Sequence, residues 1–300
     1  MSRFGTKMTL KQKRAWTGVI FISPWIFGFL LFFAKPLVVS FYYSFQNITI
    51  GDTGLNLEFI KFQNFIEAFT IDPNFIPNMF STIQDIIGHV PVIVIFSLFI
   101  AVILNQKFKG RTVSRAIFFL PVIITSGIII YILKQDVFNN SAAQGSTASY
   151  IFKSSGLQDM LINSGLSQGI VTFISSIVNS IFDLTWKSGV QILLFLAGLQ
   201  TIPRSSYEAA DMEGATAWES FWKITFPLIS PVILVNIVYT IIDSFTDRGN
   251  LMMTMIKDIA FADMRYGYSS AVAWLFFLTI FIIIGIVYLL LSKKIFYMVD

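Results

Sequence analysis

Long apolar runs alternate with short polar connections along most of the chain, and a bilayer crossing takes roughly 20 apolar residues in a helix. The first run predicts a span over about 15–34, extended outward through Lys35-Pro36 to about 45. Residues 46–77 carry Asp52, Glu58, Glu67 and Asp72 against Lys61, with turn formers such as Asp72-Pro73, and are placed outside. Span two, 80–104, ends at Asn105 and leads into a short basic connection with Lys107, Lys109, Arg111 and Arg115. Span three, 114–133, includes Pro121, a kink that a helix bundle tolerates. The stretch 134–182 is an external segment, polar to about 168. Its apolar part, 169–182, either lies at the interface or forms the outer end of one long helix to Gln200, and the long helix is favoured. Span four covers 183–201, a charged loop 202–226, span five 227–246, a third external loop 247–267, and span six 268–291.

Composition agrees with that pattern. A hydrophobic share of 55%, 13% charge, 32 Phe and a mean hydropathy of +0.72 define an all-α polytopic membrane protein, a single membrane domain over 1–300. Residues 1–14 hold Arg3, Lys7, Lys11, Lys13 and Arg14 without an acid, and Lys293-Lys294 follow span six. Cationic loops stay inside, so six spans with both termini cytoplasmic are expected. The apolar run after residue 14 is too long for a signal-peptide core and reads as an uncleaved first span. The net charge of +4 therefore needs no nucleic acid. With no Cys and one His, thiolate chemistry and an ordinary metal site lack their ligands. Trp16, Trp25, Trp274 and Tyr288 are ordinary interfacial anchors.

The loop 202–226 is cytoplasmic yet net negative, which points to a protein partner. Pro203 blocks helix continuation, and Ser205 or Ser206 caps a new helix at Tyr207, with Glu208, Asp211 and Glu213 early in it. Gly214 permits a bend, and Trp218, Phe221, Trp222 and Phe226 form an aromatic face until Pro227 restarts the chain. Glu208-Ala209-Ala210, three residues, Gly214, nine residues, Ile224, one residue, then Phe226-Pro227 resembles the EAA loop of binding-protein-dependent ABC importer permeases. Gly214-Ala215, Phe221 and Pro231 extend the similarity to the carbohydrate-uptake branch. Glu213 stands where that family usually has Asp, and Phe226 where it usually has Leu. The similarity runs from about Trp16 to Lys294, with the loop carrying nearly all its specificity. The plainer reading is an amphipathic interfacial helix.

The resemblance implies a coupling helix that docks in a groove on an ATPase subunit, with Glu208, Ala209, Ala210, Asp211, Gly214 and Ala215 at the contact. Glu208 would meet a basic group, the alanines would pack closely, and the Trp218–Phe226 face would anchor the loop to its own bundle. The chain has no GxxxxGK[ST], so it is expected to bind no cofactor; ATP and Mg²⁺ belong on the ATPase. The implied partners are a second similar permease subunit, two ABC ATPase subunits, an extracytoplasmic solute-binding protein and a sugar or oligosaccharide.

Polar stripes mark a candidate substrate path. Asp183, Lys187 and Gln191 recur every four residues on span four, and Asn236, Tyr239, Asp243 and Asp247 share a face of span five. Trp186 and Tyr239 offer ring faces to a sugar's C–H surface while the polar groups replace water at its hydroxyls. The resemblance also places translocation on these two spans. Lys187 would suit an acidic saccharide such as a uronate. The plainer reading sets Asp183 and Asp243 in headgroup water, with Asp183 and Lys187 as a surface pair. On span two, Asp85 and His89 are four apart, His89 being more readily a packed residue than a ligand. A second functional class is a stand-alone ion-coupled transporter using Asp85, Asp183 and Asp243 as buried acids. An intramembrane enzyme lacks the inventory of catalytic groups.

Overall fold

The computed structural model describes residues 9–51, 54–106, 108–125, 168–247, 249–293 and 295. Outside the described residues lie the basic residues 1–8, Asp52, Lys107, the outer part of span three at 126–133, residues 134–167 of the external segment, and Lys294. In chain order the elements are α1 (Leu10–Phe29), a π-helical turn (Leu30–Ala34), α2 (Lys35–Tyr43), β1 (Gln46–Gly51), β2 (Gly54–Phe59), α3 (Gln63–Thr70) and α4 (Phe75–Asn105). They continue as α5 (Arg111–Thr125), α6 (Gln168–Lys187), α7 (Gly189–Thr201), α8 (Arg204–Met212), α9 (Ala217–Ser220) and a second π turn (Phe221–Thr225). The last three are α10 (Phe226–Thr246), α11 (Leu251–Phe261) and α12 (Tyr266–Ser292).

Four helical stretches are long and apolar enough to cross a membrane among the described residues: Leu10–Tyr43, Phe75–Asn105, Tyr266–Ser292, and Ala217–Phe261, which holds α9, α10 and α11. α7 is a shorter apolar helix. The chain is thus a mostly helical, multi-pass membrane protein. Among the described residues it departs from all-α in one place, the β1–β2 hairpin, paired antiparallel from Gln46↔Phe59 to Gly51↔Gly54. The supposed external loops are more ordered than polarity implied, since 46–77 also holds α3 and 247–267 holds α11. The favoured long helix exists but is interrupted at Ser188 (φ −94°, ψ 0°), whose hydroxyl donates to the Thr185 carbonyl at 3.1 Å.

Neither Pro36 nor Pro227 breaks its helix, and the same device explains both. Each is preceded by a five-residue π turn, in which the Lys35 N–H reaches the Leu30 carbonyl and the Phe226 N–H reaches the Phe221 carbonyl. A proline in an α-helix leaves a carbonyl unserved and its ring collides with the carbonyl four residues back. Widening the turn just before it shifts the hydrogen-bond register so the ring follows without ending the helix. At the second site, the Thr225 hydroxyl also donates to the Ser220 carbonyl at 3.4 Å. The sequence-based restart at Pro227 is therefore corrected: α9, the π turn and α10 form one continuous rod.

The fold has two compact units, residues 1–83 with 247–281, and residues 84–246 with 282–300. In the first, Asn64 is buried and donates to the Ser44 and Gln46 carbonyls, both at 3.0 Å, tying α3 to the entry of β1. Tyr268 donates to Asp72 at 2.7 Å, and Arg265 bonds Glu67 while its guanidinium lies 4.5 Å from the Tyr268 ring centre. Gly267 lets α12 touch the hairpin, because a Cβ there would overlap the Gln46 carbonyl oxygen.

In the second unit, α4 buries Ile86, Val90, Ile93, Ser97, Ala101 and Leu104, steps of three and four that trace one face of a helix. α7 packs on α10, with Ile192, Phe195 and Leu199 buried on the one helix and Ile229, Ile241 and Phe245 buried on the other. Lipid is as apolar as leucine, so close approach rather than water exclusion holds such helices together. Gly198 supplies that approach: a Cβ there would sit 2.7 Å from Val232 Cγ2.

The two glycines face obstacles of different kinds. Gly198→Ala should destabilise by about 1–3 kcal/mol, and Val232→Ala in the same chain should restore most of the loss. Gly267→Ala should cost more, with no side-chain rescue, because its obstacle is backbone. Thermal unfolding in detergent measures both.

Candidate functional site: the elbow and the polar seam

The elbow is made by two end motifs set back to back. α8 starts at Arg204 rather than Tyr207, with Pro203 as its cap residue, so Ser205 and Ser206 lie inside the helix and do not cap it. At its other end Gly214 adopts φ +78°. The Gly214 N–H donates to the Asp211 carbonyl at 3.1 Å and the Ala215 N–H to the Ala210 carbonyl at 3.0 Å. This is a Schellman stop, in which one left-handed residue satisfies two terminal carbonyls. Two residues later Thr216 starts α9 as a capping box: its Oγ1 accepts from the Glu219 N–H, and Glu219 accepts from the Thr216 N–H at 3.0 Å. Thr216-x-x-Glu219 is a plain start signal that the sequence reading passed over.

The two arms are also tied by side chains. Tyr207 Oη and Thr225 Oγ1 lie 2.9 Å apart, joining α8 to the π turn. Beneath this tie is a cavity of about 320 Å³, lined by Asn105, Gln106, Tyr207, Asp211, Phe221 and Thr225 among others. Glu208, Ala209, Asp211 and Gly214 are exposed, and Ala210 and Ala215 are half-buried. No atom lies within 4 Å of a Cβ built on Gly214, so the elbow presents its small-residue surface outward.

Of the aromatic face, only Phe221 is turned inward, half-buried in the cavity lining; the other three rings are exposed and do not anchor the elbow to its own bundle. Trp218 is 71% exposed and Trp222 46%; Trp218 meets Trp222 edge to face at a centroid distance of 5.6 Å, and Trp222 meets Phe226 at a tilt at 5.1 Å. The face that packs inward carries Ser220 and Thr225, both buried.

The polar stripes divide. Gln191 is buried, whereas Asp183 and Lys187, on the other side of the Ser188 interruption, are exposed and Trp186 is half-buried. On α10, Asn236 is buried, Tyr239 and Asp247 are half-buried and Asp243 is exposed. The structure brings together Gln191, Asn236 and an unanticipated third member, Thr240. Gln191 Nε2 donates to Thr240 Oγ1 at 3.3 Å, Thr240 donates to the Asn236 carbonyl at 2.7 Å, and Asn236 Nδ2 donates to the Gln191 carbonyl at 3.4 Å. Among the described residues, Gln191 Oε1 and Asn236 Oδ1 are buried without a hydrogen-bond partner. These residues form a seam between two helices of one chain. Asp85 and His89 are exposed, His89 Nδ1 lying 2.9 Å from the Asp85 carbonyl. The acids of the ion-coupled reading, Asp85, Asp183 and Asp243, are thus exposed on this chain and not buried.

An amphipathic elbow fused to a spanning rod, beside a tightly packed helix pair, is the architecture of a transport permease, and the relatives agree. The "Probable ABC transporter permease protein YesP" of Bacillus subtilis is 32% identical over 295 residues, covering 92% of this chain and 89% of that protein. The "Multiple sugar-binding transport system permease protein MsmF" of Streptococcus mutans is 32% identical over 308 residues, covering 96% and 99%. No protein-family model matches the chain. A solved bacterial ABC transporter "involved in the import of the acidic polysaccharide alginate" shares the fold at a TM-score of 0.64 and 20% identity, over 94% of this chain and 96% of that one. A second alginate transporter structure, in complex with an alginate pentasaccharide-bound periplasmic protein, matches at a TM-score of 0.59 and 20% identity, over 92% and 93%. The chain belongs to the ABC transporter permease family.

The seam has a testable energetic signature. Interhelical hydrogen bonds in membranes are worth about 0.6–2 kcal/mol, whereas an orphaned buried acceptor costs about 1–3 kcal/mol. Gln191→Leu removes one of each and should leave the melting temperature in detergent unchanged or raised. Gln191→Glu buries a carboxylate at the same place and should lower it sharply.

Proposed function

We propose that this chain is a transmembrane subunit of an ATP-driven importer that moves sugars or oligosaccharides across a bacterial cytoplasmic membrane by alternating access. Six spans with both termini cytoplasmic are part of the proposal. A second permease subunit completes the path, two ABC ATPase subunits bind ATP and Mg²⁺, and an extracytoplasmic solute-binding protein delivers the substrate. The observation that carries the reading is the elbow. It exposes Glu208 beside Ala209 on a helix stopped by Gly214, and its second arm runs without a break into a membrane-length rod. A push on α8 would pass through the Tyr207–Thr225 tie into that rod. The multiple-sugar system named among the relatives supports the substrate class.

The substrate path is assigned to Asp183, Trp186, Lys187, Gln191, Asn236, Tyr239, Asp243 and Asp247. Exposed Asp183, Lys187 and Asp243 with half-buried Trp186, Tyr239 and Asp247 supply its surface, while buried Gln191 and Asn236 hold the two helices that carry it. Lys187 inclines the substrate toward an acidic saccharide.

The test is isolation in mild detergent followed by reconstitution with the solute-binding protein. The chain should co-purify with an ATPase subunit, and uptake should require ATP. Glu208→Ala should reduce uptake about ten-fold or more, the consequence of losing a charge-assisted hydrogen bond worth about 1.5–3 kcal/mol. Gly214→Asn tolerates the left-handed backbone and should retain uptake, whereas Gly214→Val should abolish it. Uptake driven by an ion gradient without ATPase would overturn the proposal.

A further inference from the structure

α4 ends where α5 begins, across the short connection that holds Phe108, Lys109 and Gly110. Both Arg111 and Arg115 turn back on the end of α4: Arg111 Nε donates to the Leu104 carbonyl at 3.0 Å and Arg115 Nη2 donates to the same oxygen at 3.1 Å. One guanidinium is enough to cap that carbonyl. Two like charges converging on it are repulsive unless an anion sits with them. Among the described residues neither guanidinium pairs with a carboxylate, and Arg115 Nε is buried without a hydrogen-bond partner. Most of the ten N–H donors on the two groups remain, in the planar fork that matches phosphate oxygens. Lys109 is exposed beside them.

The surroundings name the kind of anion. α4 is a membrane-length helix that ends here, and α5 exposes Val113, Ile117 and Leu120. Phe108 is 40% exposed in the connection itself. Cations at the end of a span, next to apolar side chains that only lipid or another helix would cover, lie at the depth of phospholipid phosphates. We propose that Arg111 and Arg115 form a binding site for the phosphate headgroup of an anionic phospholipid, held at the α4–α5 turn. The bound phosphate neutralises the arginine pair and fixes the two helix ends together.

The chain is reconstituted in nanodiscs of phosphatidylcholine with a minor share of phosphatidylglycerol, then re-extracted in mild detergent. Retained phosphatidylglycerol is counted by mass spectrometry. Retention should fall roughly five-fold for each charge removed in Arg111→Gln and Arg115→Gln. Lys13→Gln, an equal charge loss elsewhere, should leave it unchanged. Arg111→Lys with Arg115→Lys keeps charge and folding but loses the fork, and should retain an intermediate amount. Phosphatidylglycerol should also raise the melting temperature of the wild-type protein, while millimolar inorganic phosphate should not. Equal retention by wild type and the double glutamine variant, equal loss in the Lys13 control, or equal stabilisation by inorganic phosphate would each overturn the assignment.

Discussion

In hydrocarbon no water is at hand to satisfy a loose N–H or carbonyl, so every departure from regular helix must settle its own hydrogen bonds. The architecture follows that constraint from place to place. Before Pro36 and Pro227, π turns reroute the ladder. At Ser188 a hydroxyl bonds the Thr185 carbonyl where the helix is interrupted. At Gly214 two carbonyls are satisfied in one left-handed step, and at the end of α4 two arginines return to Leu104. Each is a local solution that lets a polar or bent feature exist beside spans that are otherwise uniform.

The elbow gains its stiffness from the same economy of loose ends. Its first arm stops in a Schellman motif, its second begins in a capping box, and only Ala215 lies between Gly214 and Thr216. Little freedom remains at the corner, and the Tyr207–Thr225 bond removes more by joining the arms at their far side. The exposed rings of Trp218, Trp222 and Phe226 then lie outward along the start of the rod, where lipid or a partner would meet them.

Much of this was legible in the residues, and the gaps have physical causes. Apolar runs announced the four membrane-length segments found among the described residues, because a bilayer demands length and little else. The spacing from Glu208 to Pro227 announced the elbow because a helix stop, a bend and a proline at fixed intervals leave few other arrangements. The capping box at Thr216 was equally visible and went unread. Pro227 misled, since a proline in a sequence reads as a break and the π turn that absorbs it has no residue signature. Helical periodicity grouped Gln191 with Asp183 and Lys187, and Asn236 with Tyr239 and Asp243, yet a period says which residues share a face and not what the face meets. Thr240 escaped notice because a threonine in a span is unremarkable until a glutamine amide is seen 3.3 Å from it. The hairpin and α11 were missed because polarity marks a segment as wet without saying that it is unstructured.

The unbroken helix from Ala217 to Thr246 has a mechanical consequence. At 1.5 Å of rise per residue it is a beam about 45 Å long. Tilting such a beam by about 5° sweeps its far tip through roughly 4 Å, more than the width of a water molecule. A tilt of that size at one end of the helix therefore amounts to a displacement of molecular size at the other.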